Sequence, residues 1–140
     1  ARTRVATRKK FGAVTALVSG GFDFFTGRVA AAAGFDTHQA NRLLIANGAL
    51  VGDVARPILG RAAKEEALLR IAGGNGIPLH ATMAVGDGAN DLSMLGRAGL
   101  GVAFRAKPAV AAAASACIDH CDLTGLLYLQ GIAASEFAAA

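Results

Sequence analysis

Two carboxylates and an amide, Asp87, Asn90 and Asp91, crowd a glycine-rich segment, Gly86-Asp87-Gly88-Ala89-Asn90-Asp91, directly after the apolar run Thr82-Met83-Ala84-Val85. Hard oxygen groups this close together suit a magnesium ion, which is held by one or two carboxylates and keeps several waters. A turn aspartate or a helix cap explains one carboxylate, but not the pair with the asparagine. A second glycine-rich segment, Ser19-Gly20-Gly21-Phe22, also follows an apolar run, Ala13 to Val18. A serine hydroxyl and unpaired backbone N–H groups at a helix N-terminus favour an anion, and glycine lets phosphate oxygens approach. Taken alone, the same segment also reads as an N-cap serine with turn glycines. Lys64 taken alone reads as a solvated helix lysine, and gains meaning as a cation only beside the two loops. Phosphoryl transfer needs donors for the equatorial oxygens, a neutralising cation and an in-line nucleophile. These residues offer the first two.

The elements that must position them alternate. Ala13 to Val18 has no polar alternation and reads as a strand buried on both faces of a parallel sheet. Phe22 to Ala33 follows as a helix, with Phe22, Phe25, Val29 and Ala33 at helical spacing and Gly34 as its stop. Within Asn41 to Val54, Leu43-Leu44-Ile45 and Leu50-Val51 flank Asn47-Gly48, the pair suited to a two-residue hairpin turn. Arg61 to Ala72 reads as a helix ending at Gly73-Gly74, with Ala62, Leu68, Leu69 and Ala72 for one face and Lys64 in its first turns. Thr82 to Val85 is a strand, Asp91 to Ala98 a helix, and Leu100 to Phe104 a further strand. Pro108 opens a helix leading to Ser115, Cys117-Ile118 forms a small edge strand, and Leu123 to Gln130 is a last helix. The pattern implies an α/β fold with a doubly wound parallel sheet, Rossmann-like, with a short β-hairpin excursion and ligands at the strands' carboxyl ends.

These segments resemble the haloacid dehalogenase-like hydrolases and, within them, the phosphoserine phosphatase family. The resemblance runs from about Lys10 to Leu129. It is carried by Val18-Ser19-Gly20-Gly21-Phe22, Ala40-Asn41-Arg42-Leu43, Gly52-Asp53-Val54, Lys64, Val85 to Met94, Ala106-Lys107-Pro108 and Asp122-Leu123-Thr124. The Gly-Asp-Gly-x-Asn-Asp loop is shared with transport ATPases and sugar phosphatases of the superfamily; the Ser-Gly-Gly-Phe segment, the hairpin and the Lys-Pro pair narrow the match. The resemblance implies that Ser19 and the Gly20 amide hold the transferring phosphoryl group, and that Lys64 neutralises its charge and that of the nucleophile. It implies that Asp87 binds magnesium, with Asn90 and Asp91 completing the polar loop, Asn90 toward the phosphate and Asp91 behind the metal ligand. The implied reaction is magnesium-dependent hydrolysis of O-phospho-L-serine to L-serine and phosphate in serine biosynthesis, through an aspartyl-phosphate intermediate.

The sequence departs from that family in one respect. Family members begin with a strand ending in Asp-x-Asp-x-Thr, followed by a helical cap that reads the substrate; the 140 residues contain no such motif. Asp23 falls inside a predicted helix and Asp36, followed by Thr37, in a predicted loop. In this fold the missing strand is central, and its removal would leave a gap of roughly 9 to 10 Å. The expectation is an incomplete catalytic core over residues 1–132 with a flexible tail over 133–140, inactive on its own. The rival readings are a phosphatase or phosphotransferase for another small phosphorylated metabolite and a non-catalytic anion- and metal-binding module. A dinucleotide-binding domain lacks its third glycine after Ser19-Gly20-Gly21.

Composition adds exclusions. At 140 residues and 54% hydrophobic, the chain suits one compact domain or most of one, with much of its apolar content in alanine. The net charge of +4 resides in Arg2, Arg4, Arg8, Lys9 and Lys10; the remainder holds nine basic against ten acidic groups, a net −1. With no aromatic residues interleaved, this basic segment reads as the solvated face of a helix, and neither a nucleic-acid nor a membrane partner is expected. No secretory signal and no stretch of membrane-spanning length is visible, and two cysteines make no disulfide framework, which together suit the cytoplasm. Cys117, His120 and Cys121 give too few ligands for closed zinc. His38 and His80 read as surface loop residues. Gly12 and Gly60 have no assigned part.

Overall fold

The computed structural model describes residues 1–139. The chain forms two compact units, the first from Ala1–Gly60 joined by the chain from Ala138, the second from Arg61–Phe137.

The first unit runs α1 (Arg2–Lys10), β1 (Ala16–Phe22), α2 (Asp23–Ala33), β2 (Thr37–Asn41), β3 (Leu43–Ala46) and β4 (Ala49–Val54). β1 and β2 pair in parallel, joined through α2, as parallel neighbours require a crossover. β2 was not expected: Thr37-His38-Gln39-Ala40-Asn41 is too polar to announce a strand, and His38 lies in it rather than in a loop. Its imidazole Nδ1 lies 3.1 Å from Thr26 Oγ1 of α2. The face that α2 buries also differs from the expected stripe. Thr26 and Ala30 are buried, while Phe25 and Val29 remain 60% and 53% exposed. Small residues let the helix approach the strand pair closely, and that approach leaves the bulky ones outside.

Asp36 ties the entry to β2. One oxygen accepts from the Thr15 amide at 2.8 Å and the Thr15 hydroxyl at 2.7 Å, and the other pairs with Lys9 Nζ at 2.8 Å. The hydrogen bond from Lys9, helped by those from Thr15, holds the Asp36 carboxyl below the usual carboxylate range. α1 is therefore more than a solvated basic face. Val5 and Thr7 are buried, and Arg4 is half-buried with a pKa lowered to about 10 by burial and by nearby Arg8. The hairpin β3–β4 turns at Asn47 and Gly48, both at positive φ, 52° and 77°, as a two-residue turn of matching twist requires.

The second unit runs α3 (Arg61–Gly74), β5 (Met83–Gly86), α4 (Leu92–Arg97), β6 (Leu100–Phe104), α5 (Pro108–Ala113), β7 (Ala116–Ile118) and α6 (Gly125–Leu129). Its three strands form a parallel sheet in the order β5-β6-β7, in register from Met83 opposite Leu100 to Gly86 opposite Ala103. Neighbouring residues of β6 point to opposite faces, and both faces are covered. Ala103 packs with Ala84, Leu95 and Val110 beneath α4 and α5, whereas Val102 packs with Ile118 and Leu126 beneath α6. Val102, Ala103 and Leu126 are fully buried, and burying such a valine or leucine contributes about 1.5–3 kcal/mol. α3 buries Ala63, Ala67 and Ala72; of the expected face Ala72 is buried and Leu68 half-buried, while Ala62 and Leu69 are exposed.

Of the residues expected to form a tail, 134–136 make a 3-10 turn in which the Ala133 amide donates to Glu136 Oε2 at 2.8 Å. The Phe137 ring lies 5.3 Å from that of Tyr128. Ala140 lies outside the described residues.

Candidate active site

In the second unit β5 ends in Gly86, and the chain turns through Asp87 and Gly88 into a 3-10 turn, Ala89–Asp91, before α4. Asp91 is 2% exposed and organises this loop. Its Oδ2 accepts from the backbone N–H of Asp87 and of Gly88, each at 3.1 Å, and its Oδ1 accepts from Lys64 Nζ at 2.5 Å. A buried carboxylate requires such partners, because an unpaired charge out of water is costly. Lys64 reaches it from the first turns of α3, its side chain 14% exposed. Gly86 makes the arrangement possible, since a Cβ there would overlap the Asp91 side chain.

With both Asp91 oxygens engaged, the loop presents Asp87 outward. Its side chain is exposed, and it lines an open cleft of about 340 Å³ with Val85, Gly86, Phe104 and Arg105. The Asp87 carbonyl accepts from the Lys107 amide at 3.3 Å, tying the loop to the Lys-Pro segment. Asn90 is exposed, its Oδ1 standing over Gly88. Arg105 adopts φ 47°, a left-handed conformation rarely taken by a non-glycine residue, and its guanidinium donates to the Cys121 carbonyl at 3.3 Å.

The structure thus brings Lys64, Asp87, Asn90 and Asp91 together in the second unit. Among the described residues no three His, Cys, Asp or Glu side chains cluster as a metal site. What the loop offers a cation is the hard oxygen of Asp87 beside the cleft, a fit in kind for magnesium, which keeps several waters.

Ser19 and Gly20 lie in the first unit, and their setting differs from the expected turn at a helix N-terminus. β1 continues to Phe22, which is itself the N-cap of α2. Val18 pairs with Gln39 and Phe22 with Asn41, so four steps along β1 face two along β2. Ser19-Gly20-Gly21 is the resulting bulge, a device that re-aims side chains near sites. Within it, Ser19 Oγ accepts from the Gly21 amide at 3.0 Å. Asn41, 7% exposed, donates from Nδ2 to the Gly20 carbonyl at 2.9 Å, and its Oδ1 accepts from the Leu59 amide at 2.6 Å. Neither the bulge nor this part of Asn41 was visible in the residue pattern, since both depend on the pairing of β1 with β2.

Parallel strands, helices on both sheet faces and a charged loop at the carboxyl end of β5 define a haloacid dehalogenase-like hydrolase. The family model of that description matches residues 1–96, and the chain belongs to this family. Among its relatives, the phosphoserine phosphatase of Streptomyces coelicolor is 47% identical over all 140 residues, which span 34% of that protein. The crystal structure of a probable phosphoserine phosphatase from Vibrio cholerae superposes with a TM-score of 0.89 at 38% identity, over 95% of this chain and 41% of that one. A structure described as a phospho-aspartyl intermediate analogue of phosphoserine phosphatase superposes with a TM-score of 0.84 at 43% identity, over 94% of this chain and 62% of that one. The chain therefore spans about a third of the Streptomyces relative's length. Among the described residues no helix is long and apolar enough to cross a membrane.

Proposed function

We propose that this chain carries the phosphate- and metal-binding part of a magnesium-dependent phosphomonoesterase that hydrolyses O-phosphoserine to serine and phosphate. The observation that carries the reading is the division of labour in the Gly86–Asp91 loop. Buried Asp91 engages Lys64 and two loop amides, leaving the Asp87 carboxylate facing the cleft. The 47% identity to a phosphoserine phosphatase supports the choice of substrate.

In this reading Asp87 of the second unit holds magnesium, with Lys64 and Asn90 near it as phosphate-binding residues, and Ser19 and the Gly20 amide of the first unit are donors to phosphoryl oxygens. Magnesium, when bound, supplies neutralisation of the charge on the phosphoryl oxygens. Ser19 suits its part because its oxygen already accepts from Gly21, which leaves its proton to be donated elsewhere. The attacking carboxylate belongs to an Asp-x-Asp-x-Thr strand that these 140 residues do not contain. A relative described as a phospho-aspartyl intermediate analogue supports that route. The cytoplasm and serine biosynthesis are the natural setting, in keeping with two free, exposed cysteines.

In the protein completed with the nucleophile strand and cap, Asp87→Asn is expected to lower magnesium-dependent kcat/KM for phosphoserine by about 10²–10³-fold. Unchanged rates would remove Asp87 from its role. Turnover of other phosphomonoesters in preference to phosphoserine would keep the chemistry and reassign the substrate. The 140-residue chain by itself is expected to release no phosphate from phosphoserine, and magnesium-dependent turnover by the purified chain would overturn the assignment of the nucleophile.

A further inference from the structure

We propose that Asn41 is a positioning residue that sets the Ser19 hydroxyl for phosphate binding through the Gly20–Gly21 peptide group; the proposal rests on the phosphate-site reading above. A peptide group is planar, so fixing its carbonyl fixes the direction of its N–H. The Gly20 carbonyl receives Asn41 Nδ2 at 2.9 Å, and the N–H of the same peptide, on Gly21, donates to Ser19 Oγ at 3.0 Å. The three groups form one chain: carboxamide to peptide carbonyl, peptide N–H to hydroxyl oxygen. Linked hydrogen bonds of this kind polarise one another. With a donor occupying the Ser19 oxygen, the hydroxyl proton is directed away from the bulge, where it can be given to an anion.

The carboxamide is itself fixed in one orientation. Its Oδ1 accepts from the Leu59 N–H at 2.6 Å, so its Nδ2 must face the Gly20 carbonyl, and the reversed amide would oppose two donors on one side and two acceptors on the other. Asn41 is 7% exposed, so water does not readily replace either bond. Leu59 stands two residues before the start of α3, the helix that carries Lys64. A glycine pair between a half-buried serine and Phe22 has no side chains of its own to hold its peptide plane. Asn41 supplies that restraint from the neighbouring strand.

Asn41→Asp tests this selectively. Aspartate keeps an acceptor for the Leu59 amide but sets a carboxylate against the Gly20 carbonyl at neutral pH. When protonated, it can again donate. In the protein completed with the nucleophile strand and cap, assayed with phosphoserine, kcat/KM should fall roughly ten- to a hundredfold at pH 7.5. The ratio to the parent protein should recover as the pH is lowered through the variant's carboxyl pKa. Combining it with Ser19→Ala should add little further loss, because both changes remove the same hydroxyl function. Asn41→Ser, uncharged and too short to reach Gly20, enters the same cycle, so the proposal stays testable even where the aspartate variant does not fold. A pH-independent loss, fully multiplicative losses with Ser19→Ala, or unfolding of both Asn41 variants would overturn the proposal and leave Asn41 a residue of stability alone. Should Ser19→Ala by itself be silent, the phosphate-site reading fails first, and that outcome is distinct from a silent Asn41→Asp beside a damaging Ser19→Ala.

Discussion

The two glycine-rich segments look alike in sequence, each an apolar strand followed by small and polar residues, yet they are supported in opposite ways. The Gly86–Asp91 loop is braced from within: its own Asp91 accepts two of its amides and draws in Lys64 from α3. The Ser19-Gly20-Gly21 bulge is braced from outside, by Asn41 at the end of β2. A loop that supplies its own brace needs a buried charge and hence a paired cation. A loop braced from a neighbouring strand needs only a neutral amide, but its shape then depends on strand register.

The surroundings differ accordingly. In the unit that carries the Asp87 loop, Val102, Ala103 and Leu126 are fully buried; in the unit that carries the bulge, Phe24, Phe25, Ile45 and Leu50 are more than half exposed. A charged brace thus stands on the better-packed support, where its geometry is held most firmly.

Removing the internal brace should have the largest effect. Asp91→Ala leaves Lys64 without its partner at a largely desolvated position, and a loss of about 3–5 kcal/mol of stability is expected in denaturant unfolding. A loss below about 1 kcal/mol, the worth of an exposed pair, would show that the loop does not depend on the buried one. Gly86→Ala attacks the same brace through space, forcing a methyl group into the Asp91 side chain, with an expected cost of about 1–3 kcal/mol. A neutral outcome by the same measurement would mean that β5 and the loop can separate without penalty.

The smallest effect concerns the first unit. The Asp36 carboxyl is held below its usual range by Lys9 and Thr15, so it binds its proton less readily in the folded than in the unfolded chain. Its contribution is therefore present above the unfolded value of about 3.9 and is lost as the pH falls through the lower folded value. The pair is over a third exposed, and it contributes about 0.2–1 kcal/mol. Asp36→Asn should flatten the acid limb of stability against pH by that amount, and an unaltered limb would assign the acid sensitivity to other carboxylates.

What was legible in the sequence follows from these supports. The Gly-Asp-Gly-x-Asn-Asp loop, β6 and the Asn47-Gly48 turn were legible because local chemistry determines them: apolar runs make buried strands, and a two-residue turn at positive φ selects asparagine and glycine. The candidate residues Lys64, Asp87, Asn90 and Asp91 were named from residue type and resemblance. That Asp91 engages both oxygens inside the protein could not be read from spacing. β2 escaped because Thr37-His38-Gln39-Ala40-Asn41 carries little apolar signal and becomes a strand by pairing with β1. The buried face of α2 was misplaced because the helix buries the small Thr26 and Ala30 where Phe25 and Val29 were expected; on α3 the expected Ala72 is buried, but Ala63 and Ala67 lie inside where Ala62 and Leu69 were expected.

The order β5-β6-β7 has a consequence for substitution. β6 lies between two parallel neighbours, and its Val102 and Ala103 are fully buried on opposite faces. Neither position takes a larger side chain without a shift of the helices that cover it. β6 thus acts as a fixed rail for the strand whose end carries Asp87, so that a change made out of reach of any ligand is still felt at that loop.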